Sequence, residues 1–526
     1  MRSKVLIFAS LQLWTFSFCD AFTLSMVASK GQSKKSKKIQ QGHEQIQKNS
    51  KVLHSLEEIQ KMSIPQAIQE CHSVHHLLHI ASGMWLPTDE DLLPHLRTQA
   101  IHHEKRIKAA SQLLMKLGDS LGILNGSEGG VQLNLELWTH NQGLERAILA
   151  ASLPFDNDQS NIDANKECRY VANSLIGIHS ICGYSIPNDS LSILYADGAS
   201  DNALIHPDIL KAIQSLIDRA ESYTWNYTLR EACEVRWAIR GIGARLRALM
   251  IETPQLDERT SKLPFDILPS CLDWSSVLGE DQFNEDGSIK RLLDDIPFKF
   301  DTITTRSGTL VKERRSTAWI AEETIGSLAY SGKLMTPSPI PDIVRSAMRQ
   351  VEEKILCETR IENIEQLRYC VEELGYYFDC SLCNHYPNED SACKFHTDPE
   401  HGSFWERLTC VVSAGDKDVR KFAFRPIPGE NVWTTYETYY AAREKKSPRE
   451  QDDVVPAVIP LFPGDVVKMY GECNDLFHHA VYGSTNPSTA SQSTNGRVSL
   501  VFKRAIDRGG KKGHSKKGEG RRSKIL

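Results

Sequence analysis

The sequence lacks a large excess of charge of either sign and lacks a dense cysteine pattern. Its 526 residues carry 62 Lys and Arg against 67 Asp and Glu, a formal net charge of −5. The chain as a whole is therefore no polycation for nonspecific nucleic-acid binding. The 13 cysteines are odd in number and scattered, which excludes a regular disulfide-stapled module and predicts mostly free thiols. No constant period of about 30 to 50 residues indicates a helical-repeat solenoid.

The remaining composition is that of a folded soluble protein. Hydrophobic residues make up 40%, charged residues 25% and aromatic residues 8%, which argues against a disordered, collagenous or polytopic membrane chain. At about 150 residues per domain, the length predicts two to four domains. The apolar run Val5–Phe18 is shorter than the roughly 20 residues that a transmembrane helix needs. We therefore predict no transmembrane segment in the mature chain.

The first 51 residues have the features of a targeting leader. A short basic start, an apolar run and a small-residue end at Ala21 predict a signal-like segment over residues 1–21. Residues 22–51 are basic, rich in Ser and Gln, and poor in acidic residues. This order resembles the two-part leaders that direct proteins to secondary plastids, so a plastid location is predicted. The alternative is an ordinary secretory leader followed by a disordered linker.

A helical period runs through residues 52–284, which we predict to form an all-α domain. Thr228 and Glu231 have the spacing of a capping box, and apolar residues follow at helical intervals. Gly118, with Lys116 in the turn before it, predicts the C-cap of an earlier helix. This domain is a candidate surface for a protein partner or for substrate.

Residues 297–505 contain short β-branched and aromatic runs broken by Pro, Gly and Asn, the pattern of an all-β sandwich or barrel. His396 and Asp398 are two residues apart, so they share one face of a strand and can bind one metal ion. A second source of histidine follows at His478 and His479. Two histidines and one carboxylate form the facial triad of a non-haem Fe(II) oxygenase, which leaves positions on the metal for a bidentate 2-oxo acid and O₂.

The same region carries groups suited to a 2-oxo acid. Arg497 lies 18 residues beyond His479, and a guanidinium pairs carboxylates bidentately without losing its charge. Upstream, Asn384 and Tyr386 place an amide and a phenol on one face of a predicted strand. These groups are able to hydrogen-bond the carboxylates of the oxo acid.

These residues belong to an ordered series of motifs. In chain order the motifs are Glu313–Trp319, Tyr330–Lys333, Asn384–Tyr386, His396–Glu400, Arg420–Arg425, His479–Val481 and Arg497–Lys503. On this series, residues 297–505 resemble the AlkB-like 2-oxoglutarate and Fe(II)-dependent dioxygenases, and in particular the subgroup that dealkylates nucleic acids. The resemblance implies an α+β multidomain chain in which the N-terminal all-α domain precedes a double-stranded β-helix, or jelly-roll, dioxygenase domain.

The resemblance also implies roles for individual residues. The implied iron ligands are His396, Asp398 and His479, and the implied 2-oxoglutarate ligands are Asn384, Tyr386 and Arg497. His479 is preferred to His478 because the family pattern has one small or variable residue and then Val or Ile after the ligand. Lys503 stands where many members have a second arginine. It is a further cofactor-binding candidate that keeps the charge but lacks the planar fork.

The implied reaction is the oxidative decarboxylation of 2-oxoglutarate to succinate and CO₂, coupled to hydroxylation of a substrate C–H bond with O₂ as co-substrate. Hydroxylation of an N-methyl group gives an unstable hemiaminal that loses formaldehyde, so the outcome is demethylation of alkylated DNA or RNA. The candidate substrate-binding residues are Arg315, Trp319, Tyr330 and Glu400. A flipped base would stack on one of the two aromatic rings. The simpler alternative is a hairpin with buried aromatic residues.

Two other readings stay open on the sequence. A protein or lipid hydroxylase or demethylase would use the same cofactors. Alternatively, the helical domain and a basic tail would bind RNA or protein beside a catalytically silent oxygenase fold. The tail, residues 506–526, is predicted to be disordered, and from residue 509 onward it has seven Lys and Arg against one Glu. Such a segment is able to follow phosphates.

Overall fold

The computed structural model describes most of the chain between residues 67 and 506. The described ranges are 67–69, 74–82, 100–124, 138, 142–153, 164–186, 205, 207–246, 249, 251–278, 287–304, 309–330, 333–357, 364–388, 390–398, 404–415, 419–427, 455–483 and 496–506. The predicted leader, the basic linker and the tail beyond residue 506 lie outside these ranges and stay predictions. The elements below all belong to one compact unit, Met62–Leu526, and the predicted domain boundaries stay predictions.

Helices fill the N-terminal half of the described chain. They are α1 (Val74–Ser82), α2 (Ala100–Leu124), α3 (Gln142–Ser152), α4 (Ala164–Ser185), α5 (Pro207–Ser222), α6 (Leu229–Arg245) and α7 (Pro254–Thr260). The predicted start of α6 is confirmed, because Thr228 Oγ1 accepts a hydrogen bond from the Glu231 amide and the Glu231 carboxylate accepts one from the Thr228 amide. None of the helices in the described ranges is both long and apolar enough to cross a membrane.

The predicted C-cap at Gly118 is wrong, because α2 continues to Leu124. The glycine instead allows two helices to approach closely. A Cβ atom at Gly118 would lie 2.7 Å from Cβ of Ser180 in α4, and one at Gly177 would lie 2.5 Å from the backbone of Leu114 in α2. Neither position therefore accepts a side chain without moving a helix.

Strands and shorter helices make up the C-terminal half. The strands are β1 (Phe265–Leu268), β2 (Thr302–Thr304), β3 (Leu310–Lys312), β4 (Ser316–Ala321), β5 (Leu328–Tyr330), β6 (Lys333–Met335), β7 (Cys380–Tyr386), β8 (Cys393–His396), β9 (Thr409–Ala414), β10 (Arg420–Pro426), β11 (Ala457–Leu461), β12 (Val466–Met469), β13 (Phe477–Val481) and β14 (Arg497–Lys503). The helices are α8 (Trp274–Leu278), α9 (Gly287–Asp295), α10 (Asp342–Leu356), α11 (Ile364–Tyr369), which continues into a π-helical turn, and α12 (Cys473–Leu476).

Two antiparallel sheets face each other across a shared apolar interior. The larger sheet has the strand order β1-β12-β9-β14-β7-β4, and the smaller has the order β11-β10-β13-β8. The interior receives Leu382 and Val411 from the larger sheet and Phe422 and Phe477 from the smaller. The other face of the larger sheet packs against α8 to α11 in a second core. The predicted order, helices first and an antiparallel sheet-rich region after them, is confirmed, while the double-stranded β-helix itself stays a prediction.

One strand lies inside the segment that the sequence predicts to be all-α. β1 pairs with β12 at the edge of the larger sheet, with Phe265 opposite Met469. All four residues of β1 are buried, and a run of four residues is too short for its periodicity to distinguish a strand from a helical segment. The all-α prediction is therefore wrong for residues 265–268.

The cysteines follow the prediction of free thiols. None of the cysteines that the structure describes forms a disulfide bond. Cys380 faces the interior between the sheets, whereas Cys383 faces the helix-covered core. The two thiols therefore point in opposite directions, as expected for residues three apart on a strand, and they do not form a zinc site together.

Candidate metal and cosubstrate site

Three side chains from the smaller sheet and the loop after it meet at one point. His396 ends the edge strand β8, and Asp398 follows it by two residues. His479 lies opposite His396 on β13. Their ligand atoms all lie within 4.8 Å of one another, and Oδ1 of Asp398 is 3.7 Å from Nε2 of each histidine. The structure therefore brings the three predicted iron ligands together.

The strand alternation decides between the two adjacent histidines. Phe477 and Val481 face the interior, so His479 faces it too, and its ring lies parallel to that of Phe422 with centroids 5.9 Å apart. His478 pairs with Arg425 along the strand and points to the other face. Among the described residues, His478 is no part of a metal-binding group.

Neighbouring groups fix the position and charge of Asp398. Its backbone amide donates to Oδ1 of Asn474, 2.9 Å away, and Lys503 Nζ lies 2.5 Å from its Oδ2. Burial alone would raise the pKa of this carboxyl, but Lys503, His479 and His396 hold it well below its usual range. Oδ2 is therefore held by the ammonium group, while Oδ1 faces the two imidazoles.

His396 is the most exposed of the three ligands, with 31% of its side chain accessible, against 11% for Asp398 and 7% for His479. Its Nδ1 lies 2.8 Å from the carbonyl oxygen of Lys394 and 3.5 Å from Sγ of Cys393. Burial opposes protonation, but Cys393 and Asp398 raise the pKa of His396 to about 9. The backbone carbonyl fixes the ring orientation, as an outer-shell partner of a metal-bound histidine does.

The predicted cosubstrate residues lie on central strands of the larger sheet. Arg497 on β14 is opposite Tyr386 on β7, and Asn384 is opposite Ser499. Arg497 is 1% exposed, its Nε donates to Ser413 Oγ at 3.2 Å, and its guanidinium lies 5.6 Å from the centroid of the Tyr386 ring. These side chains face the same interior as the triad.

Asn384 is only partly satisfied in its buried position. Its Oδ1 is a buried atom that no donor reaches, and the bond from its Nδ2 to the Leu382 carbonyl is long, at 3.5 Å. An amide in this state can reorient to donate to an incoming carboxylate. Together with the buried guanidinium and the phenol, it supplies donors that fit a small dicarboxylate.

Arg315, which the sequence predicts as a substrate contact, lies in the interior. It is 8% exposed, and its Nη1 lies 3.5 Å from the hydroxyl of Tyr386. It also contacts the thiol of Cys393. Burial would raise the pKa of that thiol, but Arg315 and His396 lower it to about 7. The structure therefore places Arg315 beside the predicted cosubstrate residues.

Trp319, another predicted substrate residue, packs into the interior between the sheets. Trp319 is 2% exposed, its Nε1 donates to the Gly326 carbonyl at 3.2 Å, and its ring packs edge-on against Trp405. In this structure it is a core residue, as in the simpler alternative. Tyr330 ends β5, but its side chain lies outside the described atoms, as does all of Glu400.

The structure does join the motif Glu313–Trp319 to the motif Tyr330–Lys333. Lys333 Nζ donates to Glu313 Oε2 at 2.6 Å and to Thr317 Oγ1 at 2.7 Å. It also pairs with Asp301 at 2.7 Å. The β5–β6 hairpin is thereby fastened to β4 beside Arg315.

Sequence reasoning missed three contributors to the site. Asn474, Cys393 and Ser413 contact Asp398, His396 and Arg497 respectively. Ser413 and Cys393 do lie on strands, at inward-facing positions beside predicted ligands. Their positions beside the predicted ligands depend on the pairing register between strands, and the sequence alone does not give that register.

The residues present fit a hard or borderline divalent metal ion. Two imidazoles and one carboxylate are the donor set that suits non-haem Fe(II) while leaving open positions, and the Asp398 and His396 contacts described above are the outer-shell support that such sites have. Beside this set lie a buried arginine, a phenol and an amide that suit a dicarboxylate.

Comparison with known proteins agrees with this geometry. No curated protein matches the chain at a significant level. Residues 278–503, which contain every described residue of the site, match the family model described as the 2OG-Fe(II) oxygenase superfamily.

Proposed function

We propose that this protein is an Fe(II)- and 2-oxoglutarate-dependent dioxygenase of the AlkB-like type that demethylates alkylated nucleic acid. The observation that carries the dioxygenase assignment is the convergence of His396, Asp398 and His479 on one point, in the same interior as the buried Arg497. The match of residues 278–503 to the oxygenase superfamily supports it. The AlkB-like subgroup and the nucleic-acid substrate rest on the ordered sequence motifs.

Bound Fe(II) and 2-oxoglutarate would supply the oxidising chemistry, in which O₂, 2-oxoglutarate and a substrate C–H bond give succinate, CO₂ and the hydroxylated substrate. His396, Asp398 and His479 would hold the metal. Lys503 keeps Oδ2 of Asp398 occupied, so that Oδ1 is presented toward the metal position. The carboxyl stays ionised through this pairing, as a metal ligand must.

Arg497 would pair the distal carboxylate of 2-oxoglutarate. Arg497 Nε donates to Ser413, and a carboxylate would accept hydrogen bonds from Nη1 and Nη2 of the guanidinium fork. Arg497 and Tyr386 are each 1% exposed, and in such a water-poor interior a charge-assisted hydrogen bond is stronger than in bulk water. Asn384 and Tyr386 would orient the other end, with Arg315 fixing the Tyr386 hydroxyl.

The substrate would approach from the side of His396, the most exposed of the three ligands. An N-methyl group held there is hydroxylated, and the resulting hemiaminal releases formaldehyde and leaves the demethylated nitrogen. The β5–β6 hairpin, fastened to β4 through Lys333, corresponds to the nucleotide-recognition segment in the resembled subgroup. Because Trp319 is buried, the base-stacking role is proposed for Tyr330 first.

The test is succinate formation by the full chain with Fe(II), O₂ and 2-oxoglutarate, with methylated and unmodified DNA and RNA oligonucleotides. We expect methyl-dependent formaldehyde release that His396→Ala abolishes. Triad-dependent succinate without any methyl-dependent turnover would overturn the nucleic-acid substrate and favour a protein or lipid substrate. Absence of succinate, together with no binding of Fe(II) or 2-oxoglutarate, would overturn the dioxygenase.

A further inference from the structure

The last turn of α6 forms a buried ion pair with the sandwich. Arg245 Nη2 lies 3.4 Å from Oδ1 of Asp465, and both side chains are 1% exposed. Asp465 sits in the turn between β11 and β12. Its Oδ1 also accepts from the amide of Ser270 at 2.9 Å, and its Oδ2 accepts from the amide of Phe462 at 2.8 Å. A buried pair is stable only when its remaining hydrogen bonds are made, and here the carboxylate accepts one from its own turn and one from Ser270, which follows β1.

The same turn is anchored between α4 and α6 by Phe462. The Phe462 ring is packed edge-on against His179 and Tyr184, with centroids 5.4 and 5.1 Å apart. The guanidinium of Arg245 lies 4.9 Å from the ring centroid. A Cβ atom at Gly183 would lie 2.2 Å from the ring, so the absence of a side chain at that position makes room for Phe462.

The anchored turn is hydrogen-bonded to β9, the strand whose Ser413 contacts the side chain of Arg497. The amide of Ser413 donates to the carbonyl of Asp465 at 3.0 Å, and the amide of Gly464 donates to the carbonyl of Ser413 at 2.9 Å. Ser413 Oγ then accepts from Arg497 Nε at 3.2 Å. The indole of Trp274 also donates to the Ser413 carbonyl, at 3.2 Å. A continuous set of contacts therefore leads from the helices to the guanidinium.

We propose that Arg245 and Asp465 are positioning residues for Arg497, so that the N-terminal helices are a structural part of the 2-oxoglutarate site. This inference rests on the proposed function for the identity of the ligand, but not for the contacts. A guanidinium held at Nε has a fixed plane, and that plane sets the direction of its fork. A displacement of about 1 Å in a group that positions a reactant can lower the reaction rate by about 100-fold.

The variants weaken the contacts that lead from Arg245 through Asp465 and Ser413 to Arg497, and they leave no large cavity in the core. Asp465→Asn keeps the shape of the side chain and removes its charge, and Arg245→Lys keeps the charge and removes the fork. Ser413→Ala removes the direct acceptor of Arg497. The matched control is Arg240→Gln, because Arg240 lies on the same helix and pairs with Asp266 of β1 at 2.8 Å, a contact that does not lead to Ser413.

The first readout is steady-state turnover. We expect Asp465→Asn and Arg245→Lys to raise KM for 2-oxoglutarate by about 5- to 20-fold, with kcat within about twofold of the wild type, a coupling of the usual size between linked sites. Arg240→Gln should leave KM unchanged. The double variant Arg245→Lys, Ser413→Ala should be little worse than Ser413→Ala alone, since both act through one path. An unchanged KM, a KM shared with the control, or full additivity would overturn the proposal.

The second readout does not depend on activity. The side-chain Nε–H resonance of Arg497, assigned by its loss in Arg497→Lys, should exchange slowly with solvent in the wild type. Exchange should be faster in Ser413→Ala and Asp465→Asn and unchanged in Arg240→Gln. If the full chain forms no succinate but the exchange pattern holds, the proposed function fails and the positioning role stands. If exchange is the same in all variants, the positioning role fails. Should Asp465→Asn not fold, Ser413→Ala and Arg245→Lys give the same test.

Discussion

The two sheets contribute to one interior in different ways. The smaller sheet carries two of the metal ligands near its edge strand β8, where His396 is nearly one-third exposed. The larger sheet carries the proposed cosubstrate residues on its central strands, where Arg497 is 1% exposed and its Nε donates to Ser413 Oγ. The difference separates the two tasks. On the proposed function, the more exposed edge of the small sheet would admit the substrate, whereas the buried centre of the large sheet would bind the small acid.

The largest effect is expected at the edge of the small sheet. His396→Ala should reduce succinate formation to background, because it removes one of three metal-binding donors. The free energy of unfolding should change little, since the side chain is partly exposed. Metal content after reconstitution and a denaturation curve measure the two properties. Normal turnover with normal metal content would contradict the assigned ligand set.

On the large sheet, the corresponding substitution is at Arg497, and it should weaken the binding of 2-oxoglutarate. Arg497→Ala removes a buried charged donor, so KM for 2-oxoglutarate should rise by about 100-fold, at the lower end of the cost of truncating a buried, hydrogen-bonded charge. Arg497→Lys is the matched control that keeps the charge. Isothermal titration with 2-oxoglutarate in the presence of a redox-inert divalent metal checks the result. Equal affinity in wild type and Arg497→Ala would place the cosubstrate elsewhere.

Lys503 connects the two regions, because it belongs to β14 of the large sheet and contacts the metal ligand Asp398 at 2.5 Å. Lys503→Met should weaken metal binding by about 10- to 100-fold, the usual range for loss of an outer-shell partner. Lys503→Arg should retain most of the affinity. Competition with a chelating dye measures the metal affinity. If Lys503→Met changes only KM for 2-oxoglutarate, the lysine serves the cosubstrate and not the carboxylate.

The smallest effect on activity is expected from the second contact between α6 and the large sheet. Asp266 is buried and accepts hydrogen bonds from Arg236 at 2.7 Å and Arg240 at 2.8 Å. Burial would raise the pKa of its carboxyl, but the two guanidinium groups and Lys468 hold it well below its usual range. Asp266→Asn should therefore lower the free energy of unfolding by about 1–3 kcal/mol at pH 7 without changing KM for 2-oxoglutarate.

The pH dependence of that difference has a definite sign. A folded-state pKa below the unfolded value stabilises the protein above the unfolded pKa, and the gain is lost as the pH falls toward the folded value. The stability gap between wild type and Asp266→Asn should thus be constant from pH 7 to about pH 5 and should shrink below about pH 4. Denaturant titrations of both proteins over this range provide the measurement. A gap that widens in acid would contradict the assigned ion pairs.

The site residues that could be predicted from the sequence are those that depend on neighbouring residues or on short motifs. His396 and Asp398 are two residues apart, and the alternation of an extended chain predicts one face for both, even though β8 itself ends at His396. The alternation also separates His478 from His479. The capping box at the start of α6 is local in the same sense.

The features that the sequence did not predict depend on contacts that no local pattern encodes. Gly118 has the local context of a C-cap, yet its function is set by Ser180, which belongs to another helix. Every residue of β4 is buried, so neither face of the strand is marked as solvent-facing, and the placement of Trp319 follows only from its packing against Trp405. The pair of Arg245 and Asp465 joins residues 220 positions apart, beyond the reach of any periodicity.

The separation of 220 positions between Arg245 and Asp465 also determines when the pair can form during translation. The helices emerge from the ribosome first, but the turn that fills the space beside Gly183 is translated 220 residues after Arg245. At about 5 to 20 residues per second, this interval lasts roughly 10 to 40 s. Until Phe462 and Asp465 are translated, the helices lack the ring contacts of His179 and Tyr184 and the counter-ion of Arg245. A chain that stops before Phe462 never forms these contacts, so truncated products are expected to be substrates for chaperones and proteases.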